Sequence, residues 1–377
     1  MKRFSLLFIY VLILSIIGLL FMSSSSLFEA SKDIGDPYFF IKKQSLWLLI
    51  GLIVLFITSK INLNLVKENS FRLYLLGIIF LILVFIPGLG VEAYGAKRQI
   101  SFSFFNFQPS EFFKLVSVIF FSYLFTLEDK KNFNSLLLYL LPPLLLVVLE
   151  PNLSTAILIG AIVFCIYFLS GASIKDILIP SLFFILTSVI LVLVSPYRLD
   201  RLKTLLNQQE NQNLSYHSQQ MVLTLASGGI TGKGFANSDH KYKFLPKIST
   251  DSILAIIGEE MGFVGLILIT YLFLILISRL FRLAQVAAHD YEKLLVFGIA
   301  SWIAFQGIIN FAAIVGLIPL TGIPFPFIAY GGSSLINLFA AMGLAINIEK
   351  KYSTLLYSKD DQNSPSRSHR NSHHSSR

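Results

Sequence analysis

The sequence predicts an all-α, polytopic membrane protein with about ten transmembrane helices. Two observations set that class. Of the 377 residues, 55% are hydrophobic and only 14% charged, where a soluble chain carries roughly 25% charged residues. The apolar residues also fall in long runs, each near the roughly 17–25 residues needed to cross a bilayer. With a mean hydropathy of +0.72, one membrane domain, 1–350, accounts for nearly the whole chain.

The runs can be taken in order. Lys2 and Arg3 precede the first, 4–22. It is longer than the ~7–15-residue core of a secretory signal and others follow it, so an uncleaved helix is expected. Further spans are expected at 45–61, 73–86, 112–127, 135–148, 155–169, 177–194, 253–281, 294–316 and 327–348, separated by Asn, Pro and charge clusters. No fixed-period internal repeat is visible.

An even span count puts both termini on one side. That side holds Lys2, Arg3, Lys60, Lys67, Arg72, Lys130, Lys131, Lys175, Arg279, Arg282, Lys293, Lys350 and Lys351. The short opposite loops hold only Lys32, Lys42, Lys43, Lys97 and Arg98. The excess of positive charge marks the cytoplasmic side, so both termini are expected there. The large loop 195–250, between the seventh and eighth spans, falls outside yet carries Arg198, Arg201, Lys203, Lys233, Lys241, Lys243 and Lys247. Long loops cross regardless of charge. Alternatively, basic groups concentrate an anionic substrate. Composition alone leaves the two readings level.

The polar tail, 351–377, is rich in Ser, His and Arg from Ser353 onward. It cannot bury a core and is expected to be disordered; His373 and His374 within it are a weak metal signal. Cys165 is the single cysteine, so no intrachain disulfide and no cysteine-based metal site is possible. No His or carboxylate cluster has zinc spacing.

Several short stretches carry chemistry. In Gln108-Pro109-Ser110-Glu111, Pro109 suits a first helical turn and Glu111 favours the helix dipole. Lys114 runs deeper into an apolar helix, where an insertion scale charges roughly 2.5–3.5 kcal/mol for it. Glu111 and Lys114 are three residues apart on one face and able to pair, a pattern that favours an interior cavity. Lys97 and Arg98, at a membrane edge, either snorkel to headgroups or contact a diphosphate. Ser227-Gly228-Gly229-Ile230-Thr231-Gly232-Lys233-Gly234 fails the spacing of a phosphate loop and reads as a flexible turn. Prolines 319, 324 and 326 with glycines 322, 331 and 332 imply a broken helix; such backbone survives at membrane depth only when buried in protein or lining a cavity.

Asp251 stands where the long loop ends and an apolar helix begins. Thr250-Asp251-Ser252 is an ordinary N-cap composition. A carboxylate at a membrane mouth beneath a basic loop also suits chemistry on a lipid-linked anion. Asp251, Ala255 and Glu259 share a helical face, and eight residues at ~1.5 Å separate the two carboxylates by about 12 Å. Glu259 therefore lies within the membrane, where it needs a role or a partner.

Four stretches together resemble the SEDS (shape, elongation, division and sporulation) glycosyltransferases, the RodA/FtsW proteins: FNFQPSEFFK at 105–114, LEPNLSTA at 149–156, SGGITGKGFANS through LPKISTDSILAIIGEEMG at 227–262, and GLIPLTGIPFPFIAYGGSS at 316–334. SPYRLDRL at 195–202 adds to the likeness, which excludes only the tail. The resemblance implies ten spans with both ends cytoplasmic and polymerisation of lipid II at the outer face of the bacterial cytoplasmic membrane. It implies a catalytic role for Asp251 and a central cavity lined by Glu111 and Lys114, with Gln108, Ser110, Glu259 and Ser333 as further cavity candidates. The expected partners are lipid II, membrane lipids, a class B penicillin-binding transpeptidase and other proteins of the division or elongation machinery, with no nucleic acid. The YRLDR and TDSILAIIGEE runs lean to division members, FNFQPSEF to elongation members. The chain departs from the family at Lys247 after Pro246, at Ser249, at Asn152 where an acidic residue is usual, and at Gln99 where tryptophan is common.

The implied chemistry is an inverting sugar transfer. A hydroxyl is a poor nucleophile near neutral pH, and a carboxylate base such as Asp251 contributes typically 10²–10⁴-fold. Cations stabilise the charge on a departing diphosphate; Lys97, Arg98, Lys114, Arg198 and Arg201 are the candidates. A divalent ion, Mg or Mn, is a further candidate; no organic cofactor is expected. A lipid II flippase and a catalytically silent scaffold for the transpeptidase are the rival readings.

Overall fold

The computed structural model describes residues 5–33, 35–93, 96–102, 105–172, 175, 176, 178, 182, 186, 212–238 and 252–362. Its helices are α1 (Leu6–Asp33), α2 (Phe39–Thr58), α3 (Leu63–Glu68), α4 (Ser70–Leu83), α5 (Pro109–Leu124), α6 (Phe133–Leu149), α7 (Leu153–Leu169), α8 (Gln212–Ser227), α9 (Ile253–Val286), α10 (Asp290–Ile314) and α11 (Gly332–Gln362). Among the described residues, α1, α2, α9, α10 and α11 contain stretches long and apolar enough to cross a membrane, and α4, α6 and α7 are shorter apolar helices. The expected span at 177–194 lies almost wholly outside the described residues. α11 reaches Gln362, into the segment expected from its polarity to be disordered.

The all-α expectation misses a small antiparallel sheet between α4 and α5: β1 (Gly90–Ala93), β2 (Ala96–Phe102) and β3 (Phe105–Phe107), in the order β1-β2-β3. Gly90 pairs with Ile100, and Ile100 with Phe107. Ile100 is buried while Lys97 and Ser101 are exposed. In the sequence, the phenylalanines at 102, 104, 105 and 107 obscure this period-two alternation. One of them, Phe107, packs on Phe80 of α4 and Phe112 of α5.

Helix α5 is the centre of the bundle. Almost every residue from Pro109 to Leu124 is buried, and the helix touches α4, α7, α10 and α11. Around it, α2, α6 and α9 expose large apolar side chains, including Leu49, Ile53, Leu138, Leu145, Phe263 and Tyr271. That distribution reverses a soluble fold: apolar outside, costly polar groups within. Lipid tails remove the hydrophobic drive for helix association, so close packing at small residues takes its place. Phe339 of α11 lies against Gly51 of α2, Phe113 of α5 against Gly77 of α4, and Ile166 of α7 against Gly298 of α10.

Candidate functional site

The site is built on the first turns of α5. Pro109 opens the helix, with Gln108 in extended conformation before it. Glu111 lies in that first turn and Lys114 one turn deeper. They form an ion pair of 2.8 Å, with side chains 6% and 0% exposed. Lys114 Nζ also donates to Gln306 Oε1 at 3.1 Å and lies 5.3 Å from the Trp302 ring centre. Gln306 Oε1 accepts a second bond from Trp302 Nε1 at 2.8 Å, while Gln306 Nε2 donates to the Pro324 carbonyl at 2.9 Å. Asn310, one turn further along α10, donates to the Ile323 carbonyl at 2.8 Å. The irregular backbone between α10 and α11 is thus tied to α10 and buried in protein, the condition the bilayer imposes. The other oxygen of Glu111, Oε2, is buried without a hydrogen-bond partner.

Three helix N-termini meet above this pair. Asn152, before α7, donates from Nδ2 to Ser110 Oγ at 3.3 Å, and Gln108 Nε2 donates to the same oxygen at 3.2 Å. The Gln108 amide donates to Ser333 Oγ at 3.1 Å, in the first turn of α11, and Ser333 Oγ donates to the Asn106 carbonyl at 3.2 Å. Each N-terminus carries a partial positive charge of roughly half a unit. Glu111 offsets part of that field, so the site balances a buried carboxylate, a buried ammonium and three dipole ends.

The structure separates the two adjacent cations. On β2, successive side chains point to opposite faces. Lys97 is exposed, whereas half-buried Arg98 donates from Nε to the Glu150 carbonyl at 3.2 Å and from Nη2 to the Pro151 carbonyl at 2.5 Å. Arg98 thereby pins the α6–α7 turn, while Lys97 is exposed, as either expected contact, with headgroups or with a diphosphate, requires. The Glu150 side chain in that turn is fully buried and accepts no hydrogen bond. Burial pushes its carboxyl up to about 8, against the opposing attraction of Arg98.

The 227–234 stretch corrects its reading as a flexible turn. It is bonded along the backbone to a break in α9. Gly262 has φ 67 and ψ −165, which interrupts the helix. Lys233 and Gly234 amides donate to the Glu259 and Glu260 carbonyls at 2.9 and 3.0 Å; Phe263 and Val264 amides donate to the Gly229 and Ile230 carbonyls at 3.0 and 3.2 Å. The segments approach so closely that a Cβ on Gly262 would stand 2.3 Å from the Gly232 nitrogen. Glu259, expected to need a role or a partner, has one: Lys233 Nζ lies 2.7 Å from its Oε1. One of the seven cations of the long loop is therefore matched to a carboxylate of this chain.

Asp251, Arg198 and Arg201 lie outside the described residues. Ser252, next to Asp251, occupies the N-cap position of α9, makes no side-chain capping bond and donates to Met221 Sδ at 3.2 Å. Of the cavity candidates, Gln108, Ser110, Glu111, Lys114 and Ser333 come together; Glu259 belongs to the α8–α9 cluster. Trp302, Gln306 and Asn310 were missed. Their signal was available: Gln306 and Asn310, four apart on one face of an apolar span, are polar groups at membrane depth.

Comparison with known proteins gives the same grouping. The model of the cell cycle protein family that includes FtsW, RodA and SpoVE matches residues 4–354. The chain is 33% identical over 351 residues to a probable peptidoglycan glycosyltransferase FtsW of Trichlorobacter lovleyi, covering 91% of this chain and 92% of that protein. It is 35% identical over 353 residues to stage V sporulation protein E of Bacillus subtilis, covering 92% and 96%. Among solved structures, a chain of a peptidoglycan synthase complex that coordinates polymerization and crosslinking superposes with TM-score 0.76 at 25% identity, covering 92% of this chain and 96% of that one. The rod shape determining protein RodA of Thermus thermophilus superposes with TM-score 0.69 at 23% identity, again covering 92% and 96%, a likeness of fold. This chain belongs to the FtsW, RodA and SpoVE family of cell cycle proteins.

Proposed function

We propose that the protein is a peptidoglycan glycosyltransferase that polymerises lipid II at the outer face of the bacterial cytoplasmic membrane. The observation that carries this reading is the buried Glu111–Lys114 pair beneath three converging helix N-termini. Such an end suits a diphosphate-linked sugar: dipole ends favour the anion, and hydroxyl and amide groups of Gln108, Ser110, Asn152 and Ser333 suit sugar hydroxyls. In the full topology, ten spans place both termini in the cytoplasm and 195–250 outside.

The reaction balances as follows. Asp251 takes the proton of the acceptor hydroxyl as its oxygen attacks the anomeric carbon of the donor sugar. The bond from that carbon to the diphosphate breaks, and undecaprenyl diphosphate leaves with the electron pair. Attack opposite the leaving group inverts the anomeric centre. Lys97, Arg198 and Arg201 are the cations assigned to the leaving diphosphate. Lys114, committed to Glu111 and Gln306, shapes the pocket instead. Among the described residues no group of three or more His, Cys, Asp or Glu stands together; a divalent ion, Mg or Mn, would supply charge stabilisation at the leaving diphosphate beside Asp251, which lies outside them. A class B penicillin-binding transpeptidase is the proposed partner, and the division machinery the proposed setting.

Purified protein, with its partner, is incubated with lipid II and scored for glycan polymer. Asp251→Asn should abolish polymer while leaving insertion and thermal unfolding unchanged. Asparagine caps helices as well as aspartate does, so a capping role alone predicts little loss. Polymer from this variant would remove Asp251 from the mechanism; lipid movement without polymer from the native protein would favour the flippase.

A further inference from the structure

One side-chain amide joins three segments of the bundle. Gln306 has no exposed surface. Its Oε1 accepts from Lys114 Nζ of α5 at 3.1 Å and from Trp302 Nε1 of α10 at 2.8 Å, and its Nε2 donates to the Pro324 carbonyl at 2.9 Å. With two donors at the oxygen and an acceptor at the nitrogen, a single orientation of the amide satisfies all three partners. Anchoring the irregular backbone to α10 does not need this residue, because Asn310 already holds the adjacent Ile323 carbonyl at 2.8 Å. What Gln306 adds is the contact with α5.

The start of α5 and the stretch leading into α11 therefore meet at two points. At the mouth, the Gln108 amide donates to Ser333 Oγ at 3.1 Å. About 9 Å deeper, six residues at ~1.5 Å each, Lys114 reaches Pro324 through Gln306. The backbone between Pro324 and Ser333 has little freedom to absorb a shift. A Cβ on Gly18 would stand 2.5 Å from the Ile328 carbonyl oxygen, and one on Gly332 would stand 2.7 Å from the Trp47 ring. Phe327 is buried with φ 65, a left-handed conformation that a residue other than glycine keeps only where its surroundings over-determine it. One contact allows a pivot, whereas two fix an orientation. We infer that Gln306 is a positioning residue for sugar transfer. It holds the leading end of α11, with Ser333, in register with Gln108, Ser110 and Glu111 at the start of α5. The inference rests on the reading of that mouth as the sugar-transfer site.

Gln306→Met keeps the length of the side chain and removes its three bonds. In the folded variant kcat should fall at least about tenfold with KM within about threefold, since a ~1 Å misplacement costs about 10²-fold. Hydrogen exchange supplies a readout that a merely local role does not move. The Gln108 amide, bonded to Ser333 rather than to Gln306, should exchange at least about tenfold faster. Gln306→Asn retains an amide but is one methylene too short to span Lys114 and Pro324. It should move both readouts in the same direction, and it decides the matter where Gln306→Met does not fold. Native kcat in the folded variants, or a lowered kcat with native exchange at Gln108, would overturn the inference. Native protein is incubated with lipid II beside them. No polymer from it sinks the reading of the site and this inference with it, whereas polymer from it beside fully active Gln306 variants sinks the inference alone.

Discussion

Lys114→Met should be among the most damaging single changes in the bundle. The Lys114 ammonium has no exposed surface and meets Glu111 at 2.8 Å, Gln306 at 3.1 Å and the Trp302 ring at 5.3 Å. Removing it leaves the Glu111 carboxylate as a buried anion that already has one unpartnered oxygen. Breaking a buried pair from one side costs roughly 3–5 kcal/mol. The helix N-terminus returns up to about 2 kcal/mol of that in a partly buried geometry. Glu111→Gln should be milder, because the ammonium keeps Gln306, the amide oxygen that replaces the carboxylate, and a ring contact worth about 2 kcal/mol when desolvated. The double variant removes both charges and should be more stable than Lys114→Met alone, yet inactive. Equilibrium unfolding of the four proteins in one detergent gives the cycle. Additivity within about 0.5 kcal/mol, as for independent sites, would refute the coupling.

Other expectations follow from the same geometry. Gly262→Ala forces a side chain into a backbone conformation open almost only to glycine, at about 1–3 kcal/mol of strain, and against the Gly232 nitrogen; an unchanged unfolding midpoint would contradict the packing described. For Glu150, the folded-state value of about 8 stands above the ordinary 4.5, so its contribution is complete below the lower value and lost as pH rises to the upper one. Midpoints measured between about pH 5 and 9 should therefore fall more in the native protein than in Glu150→Gln, and parallel curves would show that Glu150 is not the group responsible. Neutralising Arg198 and Arg201 together should slow polymerisation at low lipid II more than neutralising Lys241 and Lys243, whose charge salt screens over about 8 Å; equal losses would mean a diffuse field and no local site.

What the sequence revealed follows from how local each signal is. The membrane class rests on composition and run length, and the Glu111–Lys114 pair on a spacing of three along one helix, so both were legible. Pro109 marked the start of α5 for the same reason. The contacts that join distant segments were not: nothing in SGGITGKG states that its amides bond to α9 at Gly262. There the composition of a turn and that of a close backbone packing are the same, because both need residues without side chains. The anchoring contacts of Arg98 were not legible, because its acceptors are main-chain carbonyls of the α6–α7 turn, which carry no mark in the sequence. The sheet at 90–107 was hidden because the phenylalanines at 102, 104, 105 and 107 break the polar–apolar alternation of the sequence.

The break in α9 also sets which parts of the outer region tolerate a change of length. Residues 228–234 are held by backbone bonds at both edges of the break, so inserting or deleting a single residue shifts every donor off its acceptor. The same bonds bind α9 from Glu259 to Val264, so neither segment can change length without the other.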